Sequence, residues 1–99
     1  MRKFRKKSLV EALQWNGDNL QEIINFTGPH ESLTRHLGER WREWADYEKH
    51  VELRGLKIFT LEGPLVAAVG DWIIKGVRGE CYPCREDIFA DTYEEEPSP

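Results

Sequence analysis

The chain has 99 residues, 39% of them hydrophobic and 32% charged, with a formal net charge of −4. That length supports one hydrophobic core rather than two, and the acidic balance argues against bulk electrostatic binding to nucleic acid. No run of about 18 apolar residues is present, so no membrane-spanning helix is expected.

Residues 1–7 hold Arg2, Lys3, Arg5, Lys6 and Lys7 and no acid. They predict a solvated basic segment, with a phosphate-binding arm as the alternative. No apolar stretch lies behind this start, so a secretory signal is not expected and the cytoplasm is the expected compartment. Residues 8–15 read as a strand covered on most of both faces, with Leu9, Leu13 and Trp15 on one parity and Val10 and Ala12 on the other. Asn16-Gly17-Asp18 breaks it, with Asp18 placed to cap the next helix. Residues 18–26 predict that helix, because Leu20, Ile23, Ile24 and Phe26 fall near helical spacing. Gly28-Pro29 stops it.

Residues 30–38 lack clear periodicity and predict a surface loop. Residues 39–50 predict a short amphipathic helix, since Trp41, Trp44, Tyr47 and Val51 recur at about helical intervals among charged residues; an irregular strand is the alternative. Arg54-Gly55 ends the segment. Residues 56–61 predict a strand. Glu62-Gly63-Pro64 turns the chain into a buried strand over residues 65–69, completing a hairpin. After the Gly70-Asp71 break, residues 72–75 form a strand and Gly76-Val77-Arg78-Gly79 turns into a return strand ended by Pro83. Residues 84–93 predict a closing helix with Ile88, Phe89 and Tyr93 inward, and residues 94–99 an acidic, disordered tail. The outcome is one α+β domain over residues 8–93: a small curved antiparallel meander with one or two helices packed on it.

Two stretches carry a family resemblance. The start, R-K-F-R-K-K-S-L-V-E-A-L-Q-W-N-G-D-N, and the run F-T-L-E-G-P-L-V-A-A-V-G-D-W-I-I-K-G-V-R-G-E-C-Y-P-C-R-E-D-I-F-A-D-T-Y-E together resemble a group of short proteins encoded in tailed bacteriophages and prophages. That group looks related to the PGDYG-domain proteins. Of the naming motif Gly70 and Asp71 match, while Val69, Trp72 and Ile73 replace the other three residues. The resemblance implies a phage accessory protein acting in a bacterial host and supplies no catalytic residue.

The residues themselves offer few sites. Cys81-Tyr82-Pro83-Cys84 has the spacing of half a zinc site or a redox pair, but His30, His36 and His50 do not complete a zinc set. The motif also comes after a hairpin rather than opening a βαβ unit. A structural role is expected, with Cys81 on a strand and Cys84 at a helix start, and with no metal or cofactor. Asp71 with Glu80, and Glu86 with Asp87, could pair for acid–base work, but a turn and a helix N-terminus explain them more simply. The glycines lack a phosphate-loop pattern and are read as turn residues. The expected function is therefore non-enzymatic binding of a host protein, with Trp41, Trp44 and Tyr47 as the contact residues if that stripe is exposed rather than core. The alternative is a binder that sequesters a nucleotide defence signal, using Trp72, Arg78, Tyr82 and Arg85. Open sheet edges make a homodimer a further expectation.

Overall fold

The computed structural model describes residues 1–5, 9–28 and 43–96. In chain order these form β1 (Glu11–Gln14), α1 (Leu20–Thr27), α2 (Glu43–Arg54), β2 (Leu56–Thr60), β3 (Gly63–Ala67), β4 (Trp72–Lys75), β5 (Cys81–Cys84) and α3 (Glu86–Thr92). The α+β class expected from the sequence is what the chain adopts. Within it the strands divide between two antiparallel sheets, β1-β4-β5 and β2-β3, rather than running as one meander.

The division is made at the Ala68–Asp71 turn. Gly70 has φ +100°, a left-handed conformation that glycine adopts at little cost. Asp71 closes the turn: its amide donates to the Ala68 carbonyl at 3.0 Å, and its Oδ2 accepts the Ala68 amide at 2.9 Å. The chain leaves this turn beside β1 rather than beside β3. The Trp15 amide donates to the Asp71 carbonyl at 2.9 Å and the Gly70 amide to the Trp15 carbonyl at 2.7 Å, so β4 becomes the central strand of the larger sheet.

Register then decides which side chains share a face. Leu13, Ile73 and Pro83 are mutually opposite, as are Glu11, Lys75 and Cys81. This face meets α1 and the core cluster, where Trp15, Leu20, Ile23, Ile24, Ile73 and Cys81 pack with Tyr47, Val51, Leu56, Ile58 and Ala67. Lys75 lies over the Phe26 ring, 4.7 Å from its centroid. The other face carries Ala12, Ile74 and Tyr82, then Gln14, Trp72 and Cys84. Here α3 docks by stacking Phe89 on Trp72, with ring centroids 4.4 Å apart, and Ile74 is fully buried. Burying both faces of β4 explains its near-continuous apolar run.

Several local expectations are corrected. The N-cap position of α1 is Asn19 rather than Asp18. Asn19 ties the end of β1 to the helix: its Oδ1 accepts the Asn16 amide and its Nδ2 donates to the Gln14 carbonyl and to Glu22, each at 2.9 Å. The strand β3 is mostly exposed rather than buried, because only Ala67 reaches the core. Pro83 lies within β5 instead of ending it. The Gly76 amide donates to the Glu80 carbonyl, so Glu80, Tyr82 and Cys84 aim their backbone at β4 and Pro83 aims outward, where no ladder donor is needed. Cys84 is consequently the last strand residue rather than a helix start, and α3 begins two residues later. Ile88 points to solvent, leaving Phe89 and Tyr93 as the inner residues. The loop expected over residues 30–38 lies outside the described residues. Among the described residues no helix is long and apolar enough to cross a membrane.

Candidate functional site

Trp41 lies outside the described residues, and the rest of its stripe turns inward. Tyr47 is 3% exposed and belongs to the core. Trp44 is half-buried against that core, its ring 5.7 Å from Tyr47 at 49°. Burial pushes the Tyr47 phenol up to about 12, because the ionised form would lose its hydration. The helical spacing thus identified a real face, and it is the face α2 lays on β2.

The residues of the nucleotide alternative do not assemble. Trp72 and Tyr82 share the α3 face, where each is half-buried beside α3. Phe89 stacks on Trp72 at 8°, Tyr93 stacks on Phe89 at 5.0 Å, and the hydroxyls of Tyr82 and Tyr93 lie 3.3 Å apart. Arg78 sits in the β4–β5 turn, and Arg85 comes just after the far end of β5. The four-residue strand β5, roughly 13 Å long, lies between them. Arg85 pairs with Asp87 at 2.8 Å in an exposed bridge. These four residues therefore lie along the length of β5 rather than around one closed pocket.

Spacing also decides the two cysteines. Residues three apart on a strand point to opposite faces. Cys81 is buried on the core face, and Cys84 is half-buried on the α3 face; both are free thiols. Burial pushes the Cys81 thiol up, with Lys75 opposing and Glu80 adding to the shift. Cys84 is raised by burial and by the carboxylates of Asp71 and Asp87. Both therefore stay protonated at neutral pH and are poor nucleophiles. Three of the four candidate carboxylates accept backbone amides: Asp71 Oδ2 that of Ala68, Glu80 Oε2 that of Arg78 and Asp87 Oδ1 that of Ile88, each at 2.9 Å. Among the described residues no three His, Cys, Asp or Glu side chains are placed to hold a metal ion.

The surface that sequence reasoning missed is the outward face of the β2–β3 hairpin. Lys57 pairs with Val66 and Phe59 with Pro64 on that face. Leu53, at the end of α2, borders Lys57. Leu53 is 77% exposed, Val66 60%, and Leu61 at the hairpin tip 85%. A groove of ≈ 200 Å³ runs beside it, lined by Ile24, Thr27, Lys57, Phe59, Glu80 and Cys81 among others. The signal available in the sequence was the pairing itself: a hairpin register with Lys57 opposite Val66 sets both on the face away from Ile58. No protein-family model, curated protein or solved structure matches the chain.

Proposed function

We propose that this chain is a phage-encoded, non-enzymatic accessory protein that binds a host protein in the bacterial cytoplasm through the outward face of its β2–β3 hairpin. The phage setting rests on the sequence resemblance. The contact surface rests on one observation: exposed Phe59 and Val66 share the outward face with Lys57, exposed Leu53 lines the same depression as Lys57, and exposed Leu61 stands at the hairpin tip. Singly exposed aliphatic residues are ordinary, whereas a contiguous patch of them marks an interaction surface. The two-stranded sheet also has rigid support beneath it, since Leu56, Ile58 and Ala67 on its inner face are buried. Pre-ordered apolar surface binds without a large ordering cost.

The test is affinity capture from a bacterial lysate with the wild-type chain and with the double variant Leu53→Lys/Val66→Lys. The wild type retains a discrete host protein, and the variant retains it about tenfold less or worse. The variant keeps its melting temperature, because neither side chain is buried. Equal capture by both chains would remove the hairpin from the account, and no retained host protein would remove the function. Under this reading an excess of nucleotide leaves the melting temperature unchanged, whereas a true ligand would raise it.

A further inference from the structure

The larger sheet ends in two edges that differ chemically. On β5 the outward position Pro83 has no N–H to offer. On β1 the outward positions retain their donors. Both backbone groups of Trp15 are bonded toward the β4 side. Alternation therefore aims Leu13 and Glu11 toward β4, and Val10, Ala12 and Gln14 away from it. The Gln14 carbonyl agrees with that direction, since it accepts from Asn19 Nδ2 rather than from the ladder. Among the described residues no strand pairs with this outer side of β1.

We propose that the outer edge of β1 pairs antiparallel with the same edge of a second copy, joining the two three-stranded sheets into one continuous sheet. Centring the two-fold axis on Ala12 uses the amides of all three outward residues, while the Gln14 carbonyl keeps its bond from Asn19. Ala12 then faces Ala12 of the other copy and exchanges both backbone hydrogen bonds with it, while Val10 faces Gln14. Ala12 is small, so no side chain obstructs the axis. Glu11, the only charged residue of the strand, falls opposite Leu13 rather than opposite its own copy.

Charge complementarity favours a second copy over an unrelated peptide. Residues 1–5 precede β1, are exposed, and carry Arg2, Lys3 and Arg5. Antiparallel pairing sends these two basic segments to opposite ends of the interface, where they do not repel each other. Each enters from the end of the other copy's β1 that leads to Asp18 and Glu22, both exposed. The interface thus brings unlike charges together at both ends, and the two Glu11 side chains lie diagonal to each other rather than directly opposite.

The test is the solution mass of the full chain by light scattering over a dilution series, for the wild type and for Ala12→Pro. The substitution removes an amide that β4 does not use, so the protomer folds and the pairing is lost. The wild type is expected at twice the 11.6 kDa chain mass at concentrations on the order of 100 µM, and Ala12→Pro at the single mass. Arg2→Glu/Arg5→Glu shifts the wild-type midpoint to at least fivefold higher concentration. A wild type that stays monomeric across the series, or an Ala12→Pro chain that dimerises as well as the wild type, overturns the proposal. Should Ala12→Pro fail to fold, amide exchange in the wild type decides. Protection of the Ala12 amide that disappears on dilution upholds the pairing, and exchange independent of concentration overturns it.

Discussion

Tyr47 and the two cysteines are titratable groups used as packing. The Tyr47 phenol is raised by burial to about 12 from an ordinary 10.0, so the unfolded chain surrenders that proton first. The stability owed to keeping Tyr47 neutral is fully present below pH 10 and is lost as pH rises toward 12. Thermal melts across that window should therefore fall more steeply for the wild type than for Tyr47→Phe; parallel curves would place the phenol in water. The thiols make a second prediction. At neutral pH a thiol reagent labels Cys84 slowly and Cys81 only on unfolding, because Cys81 is buried and both thiols are raised. Mild oxidation yields no internal disulfide, since the side chains leave β5 on opposite faces. Rapid labelling of both, or an internal bridge, would show that the strand does not hold them apart.

Elements are set by a few joints between them. Gly55 links α2 to β2 with φ +88°, and a Cβ there would stand 2.6 Å from Val66 Cγ1. Gly55→Ala meets backbone strain and a clash together and should destabilise by roughly 1–3 kcal/mol in chemical denaturation. Gly63→Ala has φ +113° but open space around it, so it should cost about 1 kcal/mol from conformation alone. Asn19→Ala should cost about 1–2 kcal/mol by releasing three hydrogen bonds at the β1–α1 joint, with Asp18→Ala near neutral. Element type was readable from periodicity and glycine punctuation: the Leu20–Ile24 spacing, the Gly63-Pro64 and Gly76–Gly79 turns and the alternation of β2 all carry local signals. The unreadable features depended on partners elsewhere in the chain. Leu65 and Val66 look like a buried run because apolar strand residues read alike whether or not something covers them. Pro83 looks like a strand end until the sheet order places it on an edge. Trp44 and Tyr47 show a helical face, but not which way it turns.

At the scale of the whole molecule, one core joins both sheets and two helices, and α3 is a separate clamp on the opposite face of the larger sheet. That clamp rests on the Trp72–Phe89–Tyr93 stack. Phe89→Ala should release it, exposing residues 86–93 to limited proteolysis while the core side remains folded; a protease-resistant variant would mean that the stack does not hold the helix. With the α3 face closed and the core face filled, exposed Phe59, Leu61 and Val66 lie on the β2–β3 hairpin, and this is why binding rather than chemistry is proposed. The aromatic stripe that the sequence offered for such a contact does not supply it at Trp44 and Tyr47, because exposure is a property of the assembled molecule.

The hairpin assignment is tested most directly by site-specific photo-crosslinking in a bacterial host lysate. A crosslinking residue at position 66 replaces an exposed valine on the hairpin, and one at position 77 replaces a similarly exposed valine in the β4–β5 turn. A discrete adduct to one host protein is expected from position 66 and none from position 77. No adduct at position 66, or the same adduct from both positions, would contradict it.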